Sequence, residues 1–382
     1  MELTIPKQSL YEGLQLVQGI IEKRSSMPIL SNVLIETFDE GIFITATDLQ
    51  VGVKIKCPAS ITEQGAISII ARKFFEIVRE LPDEDIYIKL KENNKLYISC
   101  KDSQFNISGL PAVDFPPLPE VDLNKNIILE GELLKDMIQK TIISVSLEEG
   151  RYNLSGIYFE YLVPEGGNPC LRMVSTDGHR LTMMDREIEP LSEGIFPKGV
   201  LLPRKAVTEL IKILEKPGPI QLGLKEKFAV FQKEDILMII RLLESNFPDY
   251  TLVLPKKKDK EISISKNHLL ETMKRMGVLA SEKYKGVRFS LNKGNLEIRS
   301  INPDIGEAKE NIPLNYKGAK LSVGFNARFF IDALQVMDSD SVSLEFNESV
   351  SPALIKGEKE PGFLALIMPM KLSDEEEINN PE

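Results

Sequence analysis

The sequence predicts an α+β protein made of three similar domains in tandem, each with two amphipathic helices packed on antiparallel sheets. Three observations carry that expectation. A strand-then-helix opening recurs as LTIPKQSLYEGLQLVQGII from Leu3, IILEGELLKDMIQKTIISV from Ile127 and ISISKNHLLETMKRMGVLA from Ile262. A second helix with an apolar ridge follows each time, as ARKFFEIV from Ala71, PRKAVTEL from Pro203 and NARFFIDA from Asn326. Alternating apolar and polar stretches fill the space between. Markers that recur in one order are the signature of a repeated architecture.

Taken along the chain, each element has a local cause. Leu10, Leu14 and Val17 follow helical spacing, as do Leu134, Met137 and Ile138, and Leu269, Met273 and Met276. The second helices carry Phe74, Phe75 and Val78, then Val207, Leu210, Ile211 and Leu214, then Phe329, Phe330 and Ala333. Ile86, Ile88 and Leu90 alternate with Tyr87 and Lys89 and turn at Asn93-Asn94 into Leu96, Ile98 and Cys100, a hairpin pattern. Val287, Phe289 and Leu291 do the same through Asn292–Asn295 into Leu296 and Ile298. Hairpin-connected strands favour antiparallel sheets with helices on one face. A strand-ending marker recurs as ITATD to Asp48 and MVSTD to Asp177, echoed by IRSIN to Asn302, and AVDFPPLP and SNFPDYTLVLP close the first two repeats. Polar or Pro-containing linkers at Leu118–Lys125 and Pro255–Lys260 place the domains at residues 1–123, 124–255 and 256–372. The remaining SDEEEINNPE, residues 373–382, is acidic, lacks an apolar anchor and reads as a disordered tail.

Composition excludes several function classes. The 382 residues are 42% hydrophobic and 27% charged, ordinary for a globular protein. No apolar run approaches the roughly 18 residues of a membrane helix, and the N-terminus lacks a signal-peptide pattern. Cys57, Cys100 and Cys170 are far apart and odd in number, which argues against a disulfide framework or zinc knuckle and for a reducing cytoplasm. Neither a phosphate-binding GxxxxGK[ST] loop nor GxGxxG, HExxH or GxSxG occurs. Asp83–Asp85 and Glu148-Glu149 read as solvated turns. The net charge of −10 repels nucleic acid on average, so DNA binding requires a segregated basic surface.

Two constellations remain. The stretch Thr176–Leu181, TDGHRL, sets an acid, a histidine and an arginine on a glycine-bearing turn, the one place where a hydrolase using Asp177 and His179 could be sought. A nucleophilic mechanism would need a nearby Ser or Cys held by the imidazole, and the sequence shows no such assembly. A peptide-docking turn fits better, because Leu181, Met183 and Met184 follow and thioethers suit adaptable grooves. Basic residues recur on the second helices, at Arg72, Lys73 and Arg79 and at Arg204, Lys205, Lys212 and Lys216, with Arg328 in the third repeat. The first helices add Lys135, Lys140, Lys266, Lys274 and Arg275. On a shared surface these would follow a phosphate backbone without reading bases.

These residues resemble a known family. EKRSSMPILSNVLIE from Glu22, ITATDLQ from Ile44, ARKFFEIVRELP from Ala71, LPAVDFPPLP from Leu110, RYNLSGIYFE from Arg151, STDGHRL from Ser175, PRKAVTEL from Pro203, NFPDYTLVLP from Asn246, SEKYKGVRFS from Ser281 and MPMKL from Met368 are similar to the bacterial DNA polymerase III beta subunit, the β sliding clamp. The likeness runs from Met1 to Leu372. It implies a head-to-tail dimeric ring of six clamp domains, sheets outside and basic helices lining a hole for duplex DNA. It implies a non-catalytic, cytoplasmic, nucleoid-associated processivity factor with no cofactor, no metal and no membrane partner. By position, the family's DNA contacts fall on Arg24, Arg72, Lys73, Arg79, Tyr152, Arg204, Lys205 and Lys212. Its groove for peptides of the polymerase alpha subunit, the clamp loader delta subunit and repair proteins falls on Leu154, Thr176, Gly178, His179, Arg180, Leu181, Pro248, Val253, Ile367, Met368, Pro369, Met370, Lys371 and Leu372. Its ring interface falls on Phe105 and Ile107 against Val278 and Leu279. The sequence departs from the family pattern at Glu148, Asn153 and Leu252.

Overall fold

The computed structural model describes residues 1–21, 27–121, 126–148, 150–192, 194–196, 199–255, 260–280, 286–347 and 351–372. One element order occurs three times. The first repeat runs β1 (Glu2–Pro6), α1 (Lys7–Val17), β2 (Asn32–Phe38), β3 (Gly41–Thr47), β4 (Val51–Pro58), an extra β5 (Ser60–Glu63), β6 (Ala66–Ile70), α2 (Ala71–Glu80), β7 (Asp85–Lys91), β8 (Lys95–Cys100) and β9 (Ser103–Leu110). The second has β10 (Asn126–Glu130), α3 (Gly131–Thr141), β11 (Gly156–Leu162), β12 (Cys170–Thr176), β13 (Arg180–Glu187), β14 (Val200–Pro203), α4 (Arg204–Ile213), β15 (Pro219–Lys225), β16 (Phe228–Lys233) and β17 (Ile236–Arg241). The third has β18 (Lys260–Ser265), α5 (Lys266–Gly277), β19 (Gly286–Asn292), β20 (Asn295–Asn302), β21 (Gly306–Pro313), β22 (Leu321–Asn326), α6 (Ala327–Val336), β23 (Ser341–Phe346), β24 (Ala353–Gly357) and β25 (Glu360–Ile367). The strand and helix patterns of the sequence are realised, including the hairpin at Asn93-Asn94, where both asparagines take positive φ (58° and 53°).

The described chain forms two compact units: Met1–Lys135 with Leu191–Pro197 and Leu202–Glu244, and Asp136–Pro190 with Lys198–Leu201 and Ser245–Glu382. The division runs through the second repeat. The expected domain boundary at 123/124 and residue 256 lie outside the described residues.

In the first unit, thirteen described strands join in the order β10-β15-β16-β17-β4-β3-β2-β6-β9-β8-β7-β1-β5. The seam between repeats is the antiparallel pair β17–β4, from Ile236 opposite Ile55 to Ile240 opposite Val51. Leu3, Leu10, Leu14, Ile35 and Phe74 are fully buried, so the apolar stripes of α1 and α2 and one face of the sheet form the core. The helix lies close on the sheet because α1 carries Gly13: a Cβ there would sit 2.8 Å from Cys57 Sγ and 2.9 Å from Ile44 Cδ1.

In the second unit the order is β14-β11-β12-β13-β25-β24-β23-β18, with a separate sheet β21-β20-β19-β22. Its seam is β13–β25, with Arg180 opposite Ile367 and Met184 opposite Phe363. Phe289, Phe325 and Phe330 are buried, with ring centroids 4.9–5.4 Å apart, and fix α6 on the small sheet. α5 and α6 start on side-chain caps, Ser265 accepting from the His268 N–H and Asn326 from the Arg328 N–H.

Candidate functional site

The turn between β12 and β13 is built by its own sequence. Asp177 Oδ1 accepts the N–H groups of His179 (2.9 Å) and Arg180 (3.0 Å). Thr176 Oγ1 accepts the Gly178 N–H and donates to the Arg180 carbonyl. Gly178 has φ +88°, the left-handed region that a residue with a Cβ enters at a cost. These bonds occupy the Asp177 carboxylate, and His179 stands exposed on the turn tip.

The chain leaving β25 is tied to this turn. The Met368 N–H donates to the His179 carbonyl (2.9 Å), and the Met370 N–H donates to the Gly324 carbonyl (2.9 Å). Two glycines make room for the Leu372 side chain. A Cβ on Gly286 would lie 2.4 Å from Leu372 Cδ2, and one on Gly324 would lie 2.7 Å from Leu372 Cγ. Beneath the turn lies an apolar floor of Val174, Leu181, Met183, Tyr250, Leu354 and Leu366, with Tyr158, Phe247, Leu254, Leu364 and Met368 half-buried against it. Tyr158 stacks on Phe247 at 5.0 Å.

One wall of this depression is held by polar anchors. Asp249 caps the turn Tyr250–Val253 by accepting the Thr251 N–H. Below it, Tyr250 donates to Glu160 at 2.5 Å and accepts from Arg172 Nη1 at 3.1 Å, and Arg172 grips Asp185 with two bonds. Burial, with Glu160 beside it, pushes the Tyr250 phenol well above its ordinary range despite the pull of Arg172, so it remains a donor. The turn thereby presents Leu252, 80% exposed, and Val253 to solvent. An exposed leucine and valine beside a buried apolar floor suit an apolar peptide.

The structure therefore gathers Thr176, Gly178, His179, Arg180, Leu181, Ile367 and Met368 at one seam, with Met370 and Leu372 seated just beyond it. Pro248 and Val253 flank Tyr250 on the wall, Lys371 is exposed, and Pro369 is half-buried. Leu154 is buried in the turn Tyr152–Leu154. That turn is linked to the groove turn by Arg151 Nη1, which donates to the Asp177 carbonyl. Arg180 is held firmly in place. Its Nε binds Asp177 (3.0 Å), its Nη1 binds Asp332 (2.7 Å), and it lies 4.5 Å over the Phe329 ring. Sequence reading missed the floor residues Val174, Leu354 and Leu366 and the anchor Tyr250, and found Met183. The two-residue spacing of Leu181 with Met183, and of Leu364 with Leu366, was the available signal for a shared face.

Of the basic helices, α2 and α4 lie in the first unit and α5 in the second. Arg72, Lys73 and Arg79 are exposed on α2, opposite the buried Phe74 and Val78. Lys212 is half-exposed near the end of α4, and Arg204 starts that helix. Lys205 is drawn inward, its ammonium on the Asp48 carboxylate and 3.2 Å from the Ile20 carbonyl. Arg24 lies outside the described residues. In the second unit Tyr152 is 71% exposed, and Glu148 pairs with Arg151 at 2.7 Å. Among the described residues no group of three or more His, Cys, Asp or Glu could hold a metal ion. Burial pushes the Cys57 thiol up to about 11, so it is no nucleophile at neutral pH.

Three family models cover nearly the whole chain: the N-terminal domain of the DNA polymerase III beta subunit over residues 1–119, its central domain over 128–249 and its C-terminal domain over 251–371. The chain belongs to the beta sliding clamp family. The beta sliding clamp of Pseudomonas putida is 34% identical over 97% of this chain and 100% of its own length, and that of Escherichia coli K12 is 32% identical with the same coverage. Among solved structures, the Bartonella birtlesii DnaN sliding clamp bound to griselimycin matches with a TM-score of 0.93 at 31% identity, over 97% of this chain and 100% of that one. The Caulobacter crescentus clamp matches with a TM-score of 0.91 at 30% identity and the same coverage. Clamps of this family are non-catalytic, so the Asp177–His179 hydrolase alternative falls. No described helix is long and apolar enough to cross a membrane.

The clamp fold repeats its seams as well as its domains. β17 ends the second repeat and pairs with β4 of the first, while β25 ends the third and pairs with β13 of the second. β4 and β13 are equivalent strands, and β21 is their counterpart in the third repeat. Among the described residues β21 pairs with β20 alone, and β9 meets β6 only at Gly109 and Leu110. Phe105 and the half-buried Ile107 lie on that open stretch of β9, while Val278 (81% exposed) and Leu279 follow α5.

Proposed function

We propose that two copies of this chain close head to tail into a ring of six clamp domains around duplex DNA, cytoplasmic and without cofactor, with domains at residues 1–123, 124–255 and 256–372. The repeated seam carries the reading: the last strand of each repeat pairs with a fixed strand of the repeat before it, and β9 and β21 are the two strands the rule leaves for a second copy. Matching hairpins transfers the register. Thr47 opposite Gly52 corresponds to Ile301 opposite Glu307, and Lys233 opposite Ile236 corresponds to Cys100 opposite Ser103. Phe105 then faces Ala308 of the second copy. Pairing would satisfy two open strand edges and cover Phe105, Ile107, Val278 and Leu279.

Inside the ring, Arg24, Arg72, Lys73, Arg79, Arg204 and Lys212 meet DNA phosphates, Tyr152 meets the strand near the groove, and Lys205 adds its field while held at Asp48. The acidic remainder of a chain of net charge −10 keeps DNA from the outer surface. The groove takes short apolar peptides from the replicative polymerase alpha subunit, the clamp loader delta subunit and repair proteins, and residues 373–382 tune their access. Deleting that tail should change peptide affinity.

The test is retention on nicked circular DNA after loading by the cognate ATP-driven loader, washed in salt that screens phosphate contacts. Retention on circles and loss after linearisation is the expected result. Equal retention on both would replace the ring with binding by contact. The register is checked separately: oxidised Phe105→Cys, Ala308→Cys protein should run as a covalent dimer, and failure of that pair to crosslink would sink the register.

A further inference from the structure

Arg72, Lys73, Arg79 and Lys212, assigned to DNA, are already occupied by carboxylates of the chain itself. On α2, Arg72 Nε and Lys73 Nζ lie 3.0 and 2.7 Å from one carboxylate, Glu76, and Arg79 Nε lies 2.9 Å from Glu80. On α4, Lys212 Nζ reaches both oxygens of Glu209 at 2.8 and 2.7 Å, and beyond the helix Lys216 meets Glu12 at 3.1 Å. Bonds from Lys73 and Arg72 hold the Glu76 carboxyl below its ordinary range, so it is fully charged at neutral pH. Exposed helix pairs of this kind add little stability, so fold stability does not account for them. Glu209 is the more telling case. It is a carboxylate only 7% exposed, wedged under the chain leaving α1, where a Cβ on Gly19 would come within 2.0 Å of it. Burying a carboxylate is costly, and an apolar residue would pack there without that cost.

We propose that Glu76 and Glu209 are resident competitors for the DNA phosphates, and that they set how freely the clamp slides. A phosphate approaching Lys212 or Arg72 must displace a carboxylate of like charge. The cation exchanges one anion for another, and the net gain at any one position on the duplex is small. With the carboxylates removed, each cation would take a phosphate outright and release its counterion, and every step along the DNA would have to break those contacts. The inference rests on the reading that these helices face DNA, and it adds to that reading the part of the surface that keeps the grip loose.

The test compares Glu76→Gln, and Glu76→Gln with Glu209→Gln, against wild type and the exposed-turn control Glu226→Gln, all loaded on circular DNA. Single-molecule tracking gives the diffusion constant and a short labelled duplex gives the affinity of unloaded protein. The double variant should slide at least about threefold more slowly at low salt, with the gap closing as salt rises. Its salt slope should steepen by up to about 0.9 for each of the three freed cations, Arg72, Lys73 and Lys212. Glu76→Gln, at a half-exposed position, should show part of the same shift with little change in thermal unfolding. Diffusion and slope equal to wild type in normally loaded Glu76→Gln protein would overturn the inference and leave the ring intact. Failure of wild type to stay on circles would overturn the ring and this inference together.

Discussion

The two seams of this chain share a backbone and differ in what their side chains make of it. At the β4–β17 seam the turn Thr47–Val51 repeats the bonds of Thr176–Arg180: Asp48 Oδ1 accepts the N–H groups of Gln50 and Val51, and Thr47 Oγ1 accepts that of Leu49. The Arg241 N–H donates to the Gln50 carbonyl at 2.8 Å, as Met368 does to His179. Yet hairpin register sets Thr45, Gly52 and Lys54 where the groove has Val174, Leu181 and Met183. Leu118 covers Gly52, since a Cβ there would lie 2.4 Å from its Cδ2, and Lys54 sits 4.1 Å over the Phe43 ring. The far ends of the seams differ in the opposite sense. At β13–β25, Lys140 is buried among Asp136, Asp338 and Glu360, with Arg186 on Asp136. At β4–β17 the places of Lys140, Arg186 and Glu360 hold Leu16, Cys57 and Ile236, which line a cleft between α1 and α4 together with Glu12 and Lys212. A repeated backbone thus supplies two equivalent seams, and three or four side chains decide which one carries the apolar groove.

The largest effect is expected where the seams differ in buried charge. Lys140→Met leaves Asp136, Asp338 and Glu360 facing one another without their ammonium, with a loss of about 3–5 kcal/mol in denaturant unfolding. The matching change at the other seam, Leu16→Met, should cost less than about 1.5 kcal/mol. The pH dependence has a definite sign. Burial opposes the charged lysine, but its bonds to Asp136, Asp338 and Glu360 prevail and push its pKa up to about 12 from 10.5. Its contribution is therefore complete below about pH 10.5 and is lost as pH rises through 12. A deficit no larger than that of Leu16→Met would mean that the cluster is not the source.

Next comes the floor. Leu181 is 2% exposed, and Leu181→Ala should cost about 2–4 kcal/mol and weaken a bound apolar peptide at least tenfold in a polarisation titration. At the equivalent place Gly52→Ala pushes only on the flexible end of Leu118 and should cost about 1 kcal/mol, with peptide affinity unchanged. Loss of peptide binding in the Gly52 variant would mean that the β4–β17 seam contributes to the groove after all.

Why some of this was legible depends on the distance over which each pattern acts. Helical and alternating spacing are local, so Leu10, Leu14 and Val17, or Ile86, Ile88 and Leu90, announced their elements. The groove turn was legible because Thr176, Asp177 and Gly178 build it from their own side chains and backbone freedom. The seams were not, since nothing within β17 says that Ile240 will face Val51. The Lys140 cluster was hidden for the same reason: α3 lies far along the chain from Asp338 and Glu360, and a lone lysine on a helix reads as solvated. The ion pair of Arg180 was hidden likewise, because its partner Asp332 comes from α6 and has no local signature.

The smallest effect tests the turns themselves, and the two seams should respond with opposite sign. Gly178 at φ +88° and Leu49 at φ +71° occupy the same left-handed position. Gly178→Ala places a Cβ in that region, 3.2 Å from Arg151 Nη1, and should destabilise by about 1 kcal/mol. Leu49 already bears that strain, roughly 1–2 kcal/mol for an L-residue, while leaving its side chain 51% exposed. Leu49→Gly relieves it but enlarges the freedom of the unfolded chain, so a net gain of about 0.5 kcal/mol is expected in denaturant midpoints at constant slope. A loss instead would mean that the Leu49 side chain makes contacts in solution that outweigh the strain, and the two turns would then be alike in backbone only.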